Sequence, residues 1–238
     1  MQERVMLDRR LKQVVDYIPK GSVLADIGSD HAYVPCYAYQ HGIIEKGIAG
    51  EVNVGPMEAA KAQVDLIGAR DVIDVRLGDG LAVLGEDEAT CISICGMGGS
   101  LIRSILEAGK EKLGAVERLI LQPNVDGQHV RSWLLANGYV LVEESIVEEN
   151  DKVYEILVGE KGSETIYSEE PTEQSWQLLF GPYLVQERSD AFKLKWSREA
   201  DKLDYVLGQM AEGNQSDALI QKQDEFKRMR DKMREVSQ

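Results

Sequence analysis

The chain contains few cysteines, and their spacing excludes two common uses of this residue. Its 238 residues include only three, Cys36, Cys91 and Cys95. An odd number without a CxxC pair argues against a disulfide framework and against a structural zinc site, so we expect no bound metal. Because the N-terminus also lacks an apolar signal-peptide core, the composition predicts a cytoplasmic protein.

The chain also lacks a long apolar run and an excess of positive charge. No stretch approaches the roughly 20 apolar residues that a transmembrane helix requires, so we expect no membrane association. Lys and Arg number 27 against 41 Asp and Glu, which gives a formal net charge of −14. This balance argues against binding of DNA or RNA through overall charge and leaves room only for a local basic patch.

Apolar runs recur along the first two thirds of the chain at the spacing of an α/β fold. A first helix is predicted over 1–20, and strands are predicted over 22–27, 46–51, 73–77, 91–95, 118–122, 139–146 and 153–159. Helical patterns such as 57–67, 100–109 and 128–137 separate the earlier strands, which predicts a mostly parallel sheet with helices on both faces. The last two runs are too close together for a crossover helix and predict an antiparallel hairpin at one edge. This seven-stranded order is typical of Rossmann-like class I methyltransferase domains.

The composition changes near 161–173, where Gly, Ser, Thr, Pro and Glu accumulate, and this change predicts a boundary between domains 1–162 and 163–238. Beyond it, apolar residues follow a heptad spacing at Trp196, Ala200, Leu203, Leu207 and Met210, and again at Leu219, Phe226, Met229, Met233 and Val236. The polar segment 213–216 separates the two patterns. We expect a C-terminal coiled-coil-like domain formed by an antiparallel helical hairpin. The sequence alone does not separate such a hairpin from an intermolecular bundle, and we expect a monomer.

Acidic residues stand at the ends of three successive predicted strands. Asp26 ends the first strand and precedes Gly28, while Glu51 and Asp79 end the second and third. Ligands of doubly wound sheets bind at the carboxyl ends of the strands, where Glu51 would suit ribose hydroxyls and Asp79 an adenine amino group. The structural alternative is that these acids cap helices or order loops.

The loop after the first strand indicates which cofactor this edge would bind. It lacks the second and third glycines of the dinucleotide motif GxGxxG and places Asp30 where a diphosphate would lie. S-adenosylmethionine has no phosphate and carries an ammonium and a sulfonium, so Asp26 or Asp30 beside it is electrostatically favourable. The loop therefore favours S-adenosylmethionine over a dinucleotide.

The fourth and fifth strands end in two further candidate segments. Gly96, Gly98 and Gly99 permit a close backbone approach at the centre of the cleft, or simply a tight turn. Gln122-Pro123-Asn124 ends the fifth strand, and an asparagine there offers donors and acceptors to the edge of a base, or else caps a helix.

These motifs resemble those of the bacterial tRNA (adenine-22-N1)-methyltransferases. The resemblance rests on ADIGSDHAY at 25–33, IAGEV at 48–52, GDGL at 78–81, GMGG at 96–99, LILQPN at 119–124, KVYE at 152–155 and FGPYL at 180–184. It implies a class I methyltransferase domain with a coiled-coil-like C-terminal domain, S-adenosylmethionine as donor, and N1 of an adenine in the tRNA D-arm as acceptor. The segment VNVGP at 52–56 departs from the family pattern but leaves Glu51 in place.

The residues at the strand ends form the candidate site. For the cofactor we expect Asp26, Gly28, Ser29, His31, Glu51, Val52, Asp79, Gly80, Cys95, Gly96, Met97 and Gly98. Cys95 is either a buried packing residue or a reactive thiol. For catalysis we expect Asp30 as the first candidate and Asn124 as the second to stabilise the cationic product, with Pro123 and Tyr33 shaping the pocket. Tyr33 would stack on a flipped base or pack within its loop.

Binding of tRNA to an acidic protein requires local cations. We expect Arg9 and Arg10 in the first helix and Lys193, Lys195 and Arg198 in the C-terminal domain to contact tRNA. Because acids are interleaved with these cations, the alternative is a solvated helix face.

Three other functions compete with this interpretation. The first is methylation of another base or amide nitrogen, which the absence of an Asn/Asp-Pro-Pro-Tyr motif disfavours. The second is a noncatalytic cofactor-binding scaffold, and the third is a dinucleotide-dependent oxidoreductase.

Overall fold

A computed structural model describes residues 4–211 and 216–238 of the chain. Its backbone divides into two compact units, Met1–Gly181 and Pro182–Gln238. No helix within the described ranges is long and apolar enough to cross a lipid bilayer.

The first unit is an α/β domain with one sheet. Its strands are β1 (Ser22–Ile27), β2 (Ile44–Glu51), β3 (Ile73–Leu77), β4 (Cys91–Gly98), β5 (Arg118–Val125), β6 (Tyr139–Glu149) and β7 (Lys152–Lys161). Its helices are α1 (Arg9–Asp16), α2 (Tyr33–Gln40), α3 (Val54–Leu66), α4 (Gly99–Ala108), α5 (Gly127–Ala136) and α6 (Pro171–Phe180). Two short 3₁₀ helices span Gly80–Val83 and Lys110–Leu113.

The seven strands follow the order β3-β2-β1-β4-β5-β7-β6. Strands β1 to β5 pair in parallel, whereas β7 is antiparallel to both β5 and β6, which confirms the predicted sheet and edge hairpin. Strands β4 and β5 extend past their predicted ends at Cys95 and Gln122, because Met97 and Gly98 continue to pair with β5. The change of direction between β1 and β4 places the cleft at the carboxyl ends of these central strands.

The first helix is shorter than the sequence suggests. Residues 4–8 are not helical, although Val5 and Leu7 are buried, and residues 1–3 of the predicted helix lie outside the described ranges. The side chain of Asp8 accepts a hydrogen bond from the backbone N–H of Leu11 at 2.7 Å and caps α1. An N-cap requires an extended backbone, so the helix begins at Arg9.

The first unit extends beyond the predicted boundary at residue 162 and includes α6. Helix α6 packs against α5, and Arg131 of α5 donates to the carbonyl oxygens of Leu178 and Leu179 at 3.2 and 3.4 Å. The same guanidinium forms ion pairs with Glu144 and Glu155, at 2.6 and 3.0 Å. These contacts bind 171–180 to the sheet domain, and the division between the units falls at Gly181.

The second unit contains α7 (Pro182–Glu187), α8 (Asp190–Ala211) and α9 (Asp217–Val236). Arg230 and Arg234 of α9 donate to Asp204 of α8, each at 3.0 Å, and Gln223 donates to the carbonyl of Met210 at 3.0 Å. Since the partners run in opposite directions along the two helices, α8 and α9 form the predicted antiparallel hairpin. The predicted separating segment at 213–216 lies outside the described ranges, apart from Ser216, which caps α9.

Candidate active site

Asp26 lies at the centre of the cleft, at the end of β1 between β2 and β4. Its side chain is buried, with 2% of the residue exposed. It accepts hydrogen bonds from the hydroxyl groups of Ser29 and Ser93, at 2.5 and 2.6 Å. Burial raises the pKa of Asp26 to about 6, and the two hydroxyl donors oppose that rise. Among residues 4–211 and 216–238, the groups that act on this carboxylate are hydroxyl groups and other acids, and a buried carboxylate in such a setting favours a ligand that brings a positive charge.

The loop between β1 and α2 adopts an unusual backbone conformation. Gly28, Asp30, His31 and Ala32 all have positive φ, from 44° to 68°. The positive φ of Gly28 favours glycine there, and a Cβ atom at this position would also require the terminal methyl group of Met97 to move. Three consecutive L-residues in the left-handed region are costly, and such strain is typical of functional loops.

The carboxylate of Glu51 holds this loop in place. It accepts a hydrogen bond from the backbone N–H of Asp30 at 2.5 Å, and burial raises the pKa of Glu51. The Asp30 side chain is itself 86% exposed, and its carboxylate lies 3.7 Å from the imidazole of His31. His31 stacks on Tyr33, with ring centroids 5.4 Å apart. Glu51 at the end of β2 and the predicted residues Asp30, His31 and Tyr33 after β1 therefore lie in contact with one another.

The end of β3 adds an exposed rim to the cleft. Asp79 occupies the N-cap position of the first 3₁₀ helix, but its side chain makes no capping hydrogen bond, and it is exposed. Gly80 follows with φ of 53°. Val52 and Leu77, at the ends of neighbouring strands, are 58% and 51% exposed. The exposed apolar residues suit the flat face of an adenine, and the carboxylate of Asp79, which does not cap the helix, suits its polar edge.

The glycines after β4 permit two close backbone approaches. A Cβ atom at Gly99 would overlap the carbonyl oxygen of Asp126, so the loops that follow β4 and β5 touch only because residue 99 is glycine. Gly96 has φ of 76° and lies beside the guanidinium of Arg10. Burial raises the pKa of the Cys95 thiol well above its ordinary value, which favours packing over a reactive thiolate.

A closed set of hydrogen bonds joins the ends of β4 and β5. The backbone N–H of Gly96 donates to Gln122 Oε1 at 3.0 Å, and Gln122 Nε2 donates to Asn124 Oδ1 at 3.2 Å. Asn124 Nδ2 in turn donates to the carbonyl oxygen of Gly96 at 2.7 Å. Pro123 lies between the two amides and pairs with Met97 of β4. Gln122 is fully buried and Asn124 is exposed, so the set extends from the core to the cleft.

Arg10, which we expected on the tRNA-binding surface, is directed into this set. Its Nη1 donates to Gln122 Oε1 at 2.5 Å, its guanidinium carbon lies 5.2 Å from the centroid of the Tyr154 ring, and Asp8 pairs with it at 3.4 Å. The side chain is only 18% exposed. A role for Arg10 in tRNA binding stays a prediction, since its described contacts all lie within the first unit.

The other cations expected to bind tRNA occupy two different settings. The side chain of Arg9 is exposed, while its backbone N–H donates to Glu149 at 2.8 Å. In the second unit, Lys193 donates to the carbonyl oxygen of Gln238 at 2.8 Å, and Lys195 lies over the ring of Trp196. Arg198 is exposed on α8.

The donor set of the cleft fits S-adenosylmethionine better than a dinucleotide. The buried carboxylate of Asp26 would meet the diphosphate of a dinucleotide with like charge. It would meet a sulfonium or an ammonium with opposite charge. The observation that favours S-adenosylmethionine is therefore the charge at the end of β1, because an acid at the end of β2, such as Glu51, suits the ribose of either ligand.

Three residues that shape this site, and the inward direction of Arg10, were not predicted from the sequence. Ser93 is the one hydroxyl residue in the apolar strand segment 91–95, and this break in the pattern could have identified it. Asp8 stands ahead of a helical pattern and could have been recognised as an N-cap. Neither Tyr154 nor the inward direction of Arg10 has a local signal, because their contacts join distant parts of the chain.

Comparison with known proteins assigns the family. Residues 24–235 match the family model described as tRNA (adenine(22)-N(1))-methyltransferase. A curated protein of that description from Bacillus subtilis is 44% identical over 230 residues, covering 97% of this chain and 96% of its own length. The crystal structure of the B. subtilis tRNA methyltransferase TrmK covers 99% of this chain and all of its own chain, with 41% identity and a TM-score of 0.90.

A Streptococcus pneumoniae protein, Sp1610, provides a second structural comparison. Its structure in complex with S-adenosyl-L-methionine covers 98% of this chain and all of its own chain, with 39% identity and a TM-score of 0.86. The match thus includes both units, and the chain belongs to the tRNA (adenine(22)-N(1))-methyltransferase family.

Proposed function

We propose that the protein transfers a methyl group from S-adenosylmethionine to N1 of adenine 22 in the D-arm of tRNA. The observation that supports this most directly is the family match over residues 24–235. The cleft is consistent with it, since its buried carboxylates suit a cationic donor and its amides suit the edge of a base.

The cofactor half of the reaction depends on Asp26 and Glu51. When bound, S-adenosylmethionine supplies an electrophilic methyl group on a sulfonium. Asp26 would hold the positive charge of the ligand, with Ser29 and Ser93 fixing its carboxylate. Glu51 and Asp79 would bind the ribose hydroxyls and the adenine amino group, and Gly28 would permit the close approach that these contacts require.

The acceptor half requires alignment rather than a base. Adenine N1 has a lone pair in the plane of the ring, so it attacks without prior loss of a proton, and positioning provides most of the rate acceleration. As the new N–C bond forms, the base becomes cationic. Asn124 and Asp30 are our candidates for stabilising this charge, with Pro123 and Tyr33 beside them. Although both residues are exposed, Asn124 is the stronger candidate, because two hydrogen bonds hold its amide, whereas the Asp30 carboxylate lies 3.7 Å from the imidazole of His31, beyond hydrogen-bond distance.

Access to N1 imposes a further requirement on the substrate. N1 lies on the Watson–Crick edge, so a paired adenine must first be unpaired or flipped, and we propose that Tyr33 stacks on it. We propose that Arg9, Arg10, Lys193, Lys195 and Arg198 contact the tRNA.

The remaining assignments concern partners and location. Helices α8 and α9 of one chain pair with each other through contacts that include Arg230 and Arg234 with Asp204, which supports a monomer. Size-exclusion chromatography with light scattering tests this assignment, and a dimer mass would contradict it. We propose a cytoplasmic enzyme that acts on tRNA and not on DNA.

Methyl transfer to defined transcripts tests the function. The purified protein is incubated with labelled S-adenosylmethionine and an unmodified tRNA transcript, and the product nucleosides are separated. We expect N1-methyladenosine, and we expect it to disappear when adenine 22 is replaced by guanine or uracil. Methylation that persists on such transcripts would reject the assigned position. Cofactor binding without transfer to any tRNA would favour a scaffold.

A further inference from the structure

The hydrogen bonds among Gly96, Gln122 and Asn124 have only one possible polarity. The backbone N–H of Gly96 can only donate, its carbonyl oxygen can only accept, and the guanidinium of Arg10 can only donate. Gln122 must therefore present Oε1 to both Gly96 and Arg10, at 3.0 and 2.5 Å, and Nε2 to Asn124. Asn124 must in turn present Oδ1 to Gln122 and Nδ2 to Gly96.

This polarity leaves defined hydrogen-bonding capacity on Asn124. A carboxamide has two N–H groups and two oxygen lone pairs, and the set uses one of each. Within the part of the chain that the structure describes, one lone pair on Oδ1 and one N–H therefore stay available at the exposed end of the set. Gln122 itself is fully buried, so water does not compete for its bonds, and a reversed carboxamide would leave buried polar groups unpaired.

We propose that Gln122 and Arg10 are positioning residues that hold Asn124 so that its Oδ1 accepts a hydrogen bond from the exocyclic amine of the target adenine. The inference rests on the proposed function, which supplies the adenine. Gln122 acts by donating to Oδ1, and Arg10 acts by holding Gln122. Arg10 is itself held over Tyr154 and paired with Asp8.

Such an acceptor would favour both the reaction and the choice of base. The N1 lone pair forms the bond to carbon while the carbon–sulfur bond breaks and its electrons remain on sulfur, so the positive charge moves to the base. The exocyclic amine of the charged base is a stronger donor than that of neutral adenine, so its bond to Oδ1 strengthens in the transition state. Guanine carries an oxygen in place of that amine and would face Oδ1 with a second acceptor.

The test compares two tRNAs that differ only in the exocyclic amine. One has adenine at position 22 and the other has purine riboside, which keeps N1 but lacks the amine. The measured quantity is the ratio of kcat/KM for the two tRNAs, because the difference in intrinsic nucleophilicity cancels when variants are compared with the unaltered enzyme. The Gln122→Glu variant keeps both acceptor contacts but loses the donor to Asn124. We expect it to lower this ratio about 10-fold, through kcat more than KM.

Arg10 provides the second pair of variants. We expect Arg10→Gln to lower the ratio less than Gln122→Glu does, and Arg10→Lys to restore part of it by keeping one donor and the cation over Tyr154. The matched control is Gln63→Glu on α3, which changes the same charge away from the cleft and should leave the ratio within about twofold. Affinity for S-adenosylmethionine is measured by calorimetry in each variant, so that a change in cofactor binding is separated from the ratio, and Gln63→Glu should leave it unchanged.

A readout independent of activity is the side-chain amide NMR signal of Asn124 in the ligand-free protein. We expect Gln122→Glu to shift this signal and to accelerate its hydrogen exchange, and Gln63→Glu to leave it in place. An unchanged adenine-to-purine ratio in both Gln122→Glu and Arg10→Gln would overturn the proposal, as would an unshifted Asn124 signal. Failure of the unaltered enzyme to methylate adenine 22 would instead overturn the proposed function.

Discussion

The two halves of the cleft use opposite kinds of polar group. At the ends of β1 and β2, the carboxylates of Asp26 and Glu51 are held by hydroxyl and backbone donors, and burial raises both of their pKa values. At the ends of β4 and β5, the neutral amides of Gln122 and Asn124 bond to one another and to Gly96. We call these the carboxylate half and the amide half.

The two proposed ligands carry positive charge at different stages of the reaction, and this matches the difference between the two halves. A sulfonium is positive before the reaction, so a fixed negative charge contributes to binding throughout. The base becomes positive only as the N–C bond forms, and oriented dipoles can stabilise that developing charge without binding a cation beforehand. The carboxylate half should therefore control cofactor affinity and depend on pH, whereas the amide half should control turnover and depend on pH weakly.

The largest effect should follow from neutralising the carboxylate half. We expect Asp26→Asn to weaken binding of S-adenosylmethionine about 100-fold, equivalent to about 3 kcal/mol, because the ligand cation loses its buried partner. Calorimetric titration measures this change. The matched control is Asp65→Asn on α3, where the carboxylate is exposed and pairs with Arg70, and which should retain full affinity. Equal affinities for the two variants would remove the distinction between the halves.

A smaller effect should follow from truncating the amide half. We expect Asn124→Ala to lower kcat about 30-fold with little change in cofactor affinity, because the lost contact matters mainly in the transition state. Steady-state methyl transfer to tRNA, with a separate measurement of cofactor binding, checks both parts.

The Asp30→Ala variant tests whether the carboxylate of Asp30 contributes to catalysis. In the unaltered protein this carboxylate is exposed, and Asp30 donates to Glu51 through its backbone N–H. If Asp30→Ala retains full turnover and cofactor affinity, the catalytic role proposed for Asp30 is wrong and the amide half alone stabilises the product. If Asp30→Ala instead has a lower kcat than Asn124→Ala, Asp30 contributes more than Asn124 to stabilising the cationic product.

The affinity for S-adenosylmethionine should depend on pH through the carboxylate half. It should fall about tenfold for each pH unit below the pKa of Asp26, which is about 6. The ionised form binds the cation, so affinity for S-adenosylmethionine should rise with pH up to about 6 and then level off. The Asp26→Asn variant should give a flatter profile over the same range, with the remaining slope due to Glu51, whose pKa burial also raises. A flat profile in the unaltered protein would mean that Asp26 is not the group that binds the cation.

Titration of Asp26 should have the opposite effect on the stability of the ligand-free protein, which should decrease as the pH rises. Because the folded state raises the pKa of Asp26 from 3.8 to about 6, the stability associated with this group is fully present at low pH and is lost as the pH rises through that range. Its upper limit is about 3 kcal/mol, since one pKa unit corresponds to about 1.4 kcal/mol. Chemical denaturation of Asp26→Asn and the unaltered protein between pH 4 and 7 measures it.

The sequence predicted the carboxylate half more completely than the amide half. Buried parallel strands are apolar runs, so the acids at their ends were visible as interruptions, and Asp26 and Glu51 were both identified. The amide half depends on Arg10, whose guanidinium contacts Gln122 at a sequence separation of 112 residues. No local pattern indicates whether a basic residue of an amphipathic helix is directed outward or into a cleft. The start of α1 was misplaced for a related reason, because Val5 and Leu7 are buried without being helical.

The smallest predicted effect concerns cations outside both halves. Besides Arg10, which also contacts Gln122, we expect exposed cations such as Arg9 and Arg198 to contact the tRNA backbone. Each loss of a phosphate contact should weaken tRNA binding about 3- to 5-fold at moderate salt and reduce the salt dependence.

Filter binding of Arg9→Gln and Arg198→Gln over a range of salt concentrations measures these losses, and Arg230→Gln is the control. Arg230 already pairs with Asp204 and Asp231 at 3.0 and 2.7 Å, so its charge is partly neutralised in the hairpin and its removal should change tRNA affinity least. If Arg230→Gln weakens binding as much as Arg9→Gln, pairing within the hairpin does not withdraw its cations from tRNA. In that case the count of basic residues, rather than their partners, would decide how this acidic protein binds RNA.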